Sequence, residues 1–170
     1  MAPLTRSSQS VPRKPVASVR ATALRMLARR DFPRAELARR LENRGAEATE
    51  VARVLDELEQ LGYLSDARYA QMIVAQRAGR YGKRAIAQAL SQRRVASPAA
   101  QAALDELNGG DELAQATALW ERRFDGAPAN DRERARQVRF LIARGYGMAI
   151  ALRVVRRPPR SRAPDDIEPA

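Results

Sequence analysis

Apolar residues return every three or four positions along most of the chain, with glycine or proline breaks between runs. That spacing lays them on one face of successive helices. From Ser18, residues Ala21, Leu24, Leu27 and Ala28 share such a face until Asp31-Phe32-Pro33 interrupts it. Pro33 suits the first turn of a second helix, where Leu37 and Leu41 point inward and Gly45 supplies a left-handed stop. A third helix from about Glu47 carries Val51, Val54, Leu55, Leu58 and Leu61 inward and ends at Gly62.

The plan then recurs. Ser65 or Asp66 opens a helix with Tyr69, Met72, Ile73 and Gln76 on its inner side, broken near Gly79 and Gly82. Ala85, Ile86, Ala89 and Leu90 mark the next. Ser97-Pro98 reads as an N-cap and first-turn proline before a short helix with Ala103, Leu104 and Leu107, closed by Asn108-Gly109-Gly110. A third round starts at Asp111, with Leu113, Ala116, Leu119, Trp120 and Phe124 on one face. Asn130 and Glu133 have the spacing of a capping box. The helix that follows carries Val138, Leu141 and Ile142 and stops at Gly145. A last helix from about Met148 holds Ile150, Ala151, Val154 and Val155, and Pro158-Pro159 ends it.

Superposing the middle helices puts Leu41, Leu90 and Leu141 in register, at offsets of 49 and 51 residues. Gly45 and Gly145 then fall at matching stops, with Arg94 in the equivalent place between them. Units of this size are too small to be robust alone and gain stability by sharing interfaces. The expected fold is all-α, an elongated array of three tandem three-helix repeats at residues 16–64, 65–107 and 108–157. A disordered basic arm at 1–15 and a disordered tail at 158–170, both proline-containing and aperiodic, complete the expected organisation.

Composition narrows the chemistry. The 170 residues include neither histidine nor cysteine, which excludes thiolate and imidazole metal sites, disulfides, Ser-His-Asp triads and Cys-His dyads. Carboxylates remain, but Asp105-Glu106 and Asp111-Glu112 sit at expected helix ends and Asp165-Asp166 in the tail. No paired-carboxylate pattern and no Gly-rich phosphate loop is present, so neither an enzyme nor a cofactor is expected. No apolar run is long enough to span a membrane, and the N-terminus lacks the apolar core of a secretory signal. The cytoplasm is the expected location and a monomer the expected state.

Charge points to a partner. Lys+Arg total 31 against 20 Asp+Glu, a net +11. The arm carries +3, the first repeat +1, the second and third +4 each, and the tail −1. Such a chain attracts polyanions. Arg77, Arg80, Lys83, Arg84, Arg93 and Arg94 gather in the second repeat around Tyr81. They read as a face for phosphates or an acidic protein groove, or else as solvated helix surface. Arg25, Arg29 and Arg30 have Glu36, Glu42 and Glu47 close by for internal pairing, whereas Arg132, Arg134, Arg136 and Arg139 spread over more than one face. Trp120, Phe124 and Phe140 read as core, Tyr63, Tyr69 and Tyr146 as packing residues, and Tyr81 as the tyrosine most open to solvent. Three-helix units are compatible with a helix-turn-helix DNA reader, but their second and third helices offer mainly Arg, Ala and Glu, suited to backbone contact.

Several motifs occurring in order carry a resemblance. They are Ala23-Leu-Arg-Met-Leu-Ala-Arg-Arg30 with Arg34-Ala-Glu-Leu37 and Leu41, then Leu61-Gly-Tyr-Leu-Ser-Asp-Ala-Arg-Tyr-Ala70. Arg80-Tyr-Gly-Lys-Arg-Ala-Ile86 with Leu90, and Arg139-Phe-Leu-Ile-Ala-Arg-Gly-Tyr146, follow. Over about residues 18–157 the chain resembles the RecX family of regulators of the RecA recombinase. The resemblance implies a non-catalytic protein that lies in the groove of a RecA–DNA filament, bridges protomers, and restrains ATP hydrolysis, strand exchange and co-protease activity.

Matching motif positions are Arg25, Arg68, Tyr69, Arg80, Tyr81, Gly82, Arg84, Arg139 and Arg144. With the second-repeat cluster, they give the expected partner-binding residues Arg25, Arg68, Arg77, Arg80, Tyr81, Lys83, Arg84, Arg93, Arg139 and Arg144. Single- or double-stranded DNA is a further candidate partner, and the alternative reading is a basic helical DNA-binding protein acting without a recombinase. Two positions depart from the family pattern. Pro33 stands where a Ser is common, leaving Asp31 as a substitute cap, and Gln137 occupies an apolar position.

Overall fold

A computed structural model describes residues 18–107 and 112–156. Nine helices lie among them, and no strand: α1 (Val19–Leu27), α2 (Arg34–Glu42), α3 (Ala48–Gln60), α4 (Asp66–Arg77), α5 (Lys83–Gln92), α6 (Ser97–Glu106), α7 (Glu112–Glu121), α8 (Asp131–Ala143) and α9 (Met148–Val155). The N-terminal arm, the Asn108-Gly109-Gly110 stop, Asp111 and the tail lie outside the described residues. The helix pairs packed most extensively all fall within the triplets α1–α3, α4–α6 and α7–α9. Each triplet closes around its own apolar cluster. The architecture is the expected all-α array of three tandem three-helix repeats.

The middle helices end alike. Gly45, Arg94 and Gly145 all have positive φ, at 87°, 55° and 87°. After each, a backbone N–H (Ala46, Val95, Tyr146) donates to the carbonyl of the register leucine, Leu41, Leu90 or Leu141. These bonds satisfy carbonyls that a helix end would otherwise leave open. The three leucines are at most 1 % exposed. Burying each contributes about 1.5–3 kcal/mol, so the register position is a fixed point of every repeat.

Several inward assignments shift by a residue. In α1 the buried position is Ala23, while Ala21 and Ala28 are exposed. Leu61 is 54 % exposed, because α3 ends at Gln60 and the chain has already turned toward Leu64, which is buried. In α4 the buried set is Tyr69, Ala70, Ile73 and Val74; Met72 is half-buried and Gln76 exposed. That helix is covered by both α5 and α6, so its inner face is wider and rotated from the expected stripe. Ile142, one residue past the register leucine, is 36 % exposed.

Caps differ in detail. Pro33 lies just before α2 in extended backbone, and α6 is preceded by Ala96, so Ser97 is its first residue rather than its cap. Asn130 caps α8 by accepting from the Glu133 N–H at 2.9 Å, while the Glu133 carboxylate accepts from Ala129 N–H, one residue beyond the usual box. Gln137 is buried with both ends of its amide engaged: its Oε1 accepts from Trp120 Nε1 at 2.9 Å and its Nε2 donates to the Gly126 carbonyl at 3.2 Å. Phe124 and Phe140 meet edge to face beside them, with centroids 5.3 Å apart.

Two different joints connect the repeats. Between the first and second, Asp66 at the start of α4 accepts from the backbone N–H of Arg34 (2.7 Å) and of Ala96 (2.9 Å). It thereby serves the openings of α2 and α6 as well as its own helix. Asp31 is occupied elsewhere, accepting from Arg68 at 3.1 Å, so Asp66 and not Asp31 replaces the cap that Pro33 lacks. Between the second and third repeats the backbones themselves touch. Gly82 N–H donates to the Arg144 carbonyl at 2.8 Å. A Cβ on Gly82 would stand 2.6 Å from the Gly145 oxygen, and one on Gly145 would overlap Ala85.

Candidate functional site

The ten expected contact residues divide by position. Arg25, Arg80, Arg84 and Arg139 are exposed and form no ion pair among the described residues. Arg68 is committed to the first joint, donating to Asp31 and to the carbonyls of Gly62 (3.2 Å) and Tyr63 (3.0 Å). Lys83 pairs with Asp105 at 3.3 Å. Arg93 is half-buried and donates to the Ala89 carbonyl.

Tyr81, Arg77 and Arg144 come together at the second joint. The Arg77 and Arg144 guanidinium carbons lie 5.3 and 5.5 Å from the Tyr81 ring centroid, within cation–π range. Tyr81 is therefore half-buried under arginine, and Tyr63, 54 % exposed, is the more open tyrosine. Tyr69 and Tyr146 pack inside, as expected. Arg80, Tyr81 and Arg144 line a cleft of about 680 Å³ together with Leu119 and Arg122. Arg122 donates to the Gly79 carbonyl at 3.0 Å. Sequence reasoning missed Arg122, whose partner lies 43 positions away with no local signal to connect them.

The first repeat pairs several of its charges internally. Glu36 Oε1 accepts from Arg30 at 3.0 Å and from Arg40 at 2.7 Å. Burial alone would raise its pKa, but these hydrogen bonds and the charges behind them hold it below the usual glutamate range. Both guanidiniums also face the Phe32 ring, Arg30 at 3.7 Å. At the second joint, burial and then the Glu112 charge push the Tyr146 phenol up, against Arg122 and Arg144. Its hydroxyl is buried without a hydrogen-bond partner among the described residues.

Among the described residues no three carboxylates converge as a metal would need, and no helix is long and apolar enough to cross a membrane. Fold and surface together define a basic protein of tandem three-helix repeats. Models of the first, second and third three-helix domains of RecX match residues 20–58, 65–104 and 110–155, in that order. The Regulatory protein RecX of Ralstonia nicotianae is 40 % identical over 146 residues, covering 86 % of this chain and 91 % of that one. The Leptothrix cholodnii protein of the same name is 41 % identical over 143 residues, covering 84 % and 90 %. The crystal structure of RecX from Lactobacillus salivarius superposes with a TM-score of 0.72 at 18 % identity, over 81 % of this chain and 92 % of that one. A second RecX crystal structure gives 0.66 at 21 % identity, over 80 % and 72 %. The chain belongs to the RecX family, and its role is that of a RecX-type regulatory protein.

Proposed function

We propose that this protein is a negative regulator of the RecA recombinase. It binds in the groove of the RecA–DNA filament and lowers ATP hydrolysis, strand exchange and co-protease activity, without catalysis of its own. It works as a monomer in the cytoplasm, and each repeat that engages raises the effective concentration of the next. The observation that carries the reading is the set of exposed arginines that form no ion pair among the described residues and are distributed over all three repeats: Arg25 in the first, Arg80 and Arg84 in the second, Arg139 in the third. A bound partner can satisfy them without first breaking an internal ion pair. Relatives named for RecX support the same assignment.

The test is recombinase ATP turnover on single-stranded DNA with the protein titrated in. Turnover falls with added protein, and the R80E/R84E variant needs at least tenfold more for the same effect. An assembled filament that is neither bound nor slowed overturns the proposal.

A further inference from the structure

Arg94 holds a conformation that costs energy. It is the one non-glycine residue with positive φ among the described residues, and it occupies the stop that repeats one and three give to Gly45 and Gly145. For a side-chain-bearing residue this region costs about 1–2 kcal/mol. Strain of that kind at a position where glycine is available directs attention to what the side chain does.

The side chain is exposed and makes no ion pair among the described residues. It lines a cleft of about 340 Å³ between the first two repeats, walled by Ala35, Glu36 and Arg39 from α2 and by Gln92, Arg93 and Arg94 at the end of α5. Among the described residues Arg39 is likewise exposed without an ion pair, and the Arg93 side chain donates to the Ala89 carbonyl and to no carboxylate. The sole carboxylate in the wall, Glu36, is already engaged by Arg30 and Arg40. Arg39, Arg93 and Arg94 thus line one recess whose single carboxylate, Glu36, is already shared by two other arginines.

We propose that this cleft is a phosphate-binding site for the backbone of a nucleic-acid strand, with Arg94, Arg39 and Arg93 as its donors. Guanidinium forks match phosphate oxygens, and Gln92 places a side-chain amide in the same wall. An acidic protein segment fits less well. Ala35 is the only apolar side chain in the lining, whereas peptide recognition draws on apolar anchors in desolvated pockets. Arg39 was not among the expected contact residues, Arg94 belonged to the second-repeat arginine cluster, and the site is separate from the cleft at the second joint.

Arg94→Gly provides the decisive variant, because it removes the side chain and installs the residue used by the other two repeats. Binding of the full chain to fluorescent oligothymidylate, to a DNA duplex and to polyglutamate is measured across a salt series, beside thermal melts. R94G melts no lower than the parent, yet binds DNA about fivefold more weakly, and its log–log salt slope on the single strand is shallower by about 0.7. The R39Q/R93Q/R94G variant loses about a hundredfold at low salt. Loss on either the single strand or the duplex supports the site and identifies the form it takes. Unchanged DNA binding by R94G, or an equal loss on polyglutamate, overturns it. These readouts use DNA without recombinase, so their failure leaves the ATP-turnover test of the proposed function untouched.

Discussion

Asp66 accepts the backbone N–H of Arg34 at 2.7 Å, across 32 positions of sequence, and so supplies the N-terminal cap that Pro33 cannot. Its other oxygen takes Ala96 N–H at 2.9 Å. One carboxylate therefore ties the opening of α2 to those of α4 and α6, and couples the first repeat to the second.

Asp66→Ala removes both acceptors and leaves two helix openings unsatisfied. The expected cost is about 2–3 kcal/mol of unfolding free energy, read by urea denaturation. The loss is concentrated at the first joint, so amides of α2 and α6 exchange hydrogen faster while those of α8 do not.

Gly45→Ala and Gly145→Ala separate backbone strain from overlap. Both positions have φ of 87°, but a Cβ at Gly45 meets open space, whereas one at Gly145 comes within 2.5 Å of the Ala85 backbone nitrogen. The first substitution costs about 1 kcal/mol and the second about 3 kcal/mol or more, since the neighbour is backbone and cannot turn aside.

Gln137→Leu restores the apolar residue that the helical pattern asks for and should nonetheless destabilise the third repeat. It strands the Trp120 indole N–H in a buried site, at about 1–3 kcal/mol. Trp120 is the chain's single tryptophan, so the shift and broadening of its fluorescence report the change directly.

Glu36 makes the first repeat acid-sensitive. Its folded pKa lies below its unfolded value, so its stabilising contribution is complete above the ordinary glutamate value of 4.5. The contribution is lost as pH falls through the lowered folded value. Glu36→Gln should flatten that part of the stability profile between neutral and acid pH, measured by denaturant titration at stepped pH.

The helical plan was legible because its determinants are local. Leucine spacing and glycine stops set Leu41, Leu90 and Leu141 in equivalent places, and the same register aligns Arg94, φ 55°, with the left-handed Gly45 and Gly145. The joints were not legible. The bonds of Asp66 to Arg34, Arg68 to Asp31 and Arg122 to Gly79 each span 32 residues or more, and no periodicity announces them. Arg68 illustrates the consequence. Its motif position suggested a partner contact, while its guanidinium is spent on two carbonyls and a carboxylate inside the protein. Gln137 is the opposite case: a departure from the apolar pattern was visible, but its reason, the indole of Trp120, lay 17 positions upstream.

The backbone-to-backbone meeting of Gly82 and Gly145 has a different kind of consequence from the carboxylate joint at Asp66. One seam is made of side chains and can be retuned by a single codon; the other admits only the smallest residue on both sides. The units are therefore not interchangeable. Duplicating or shuffling them would present the wrong mating edge at one seam or the other, which holds the order of the array fixed even though its parts share a three-helix plan.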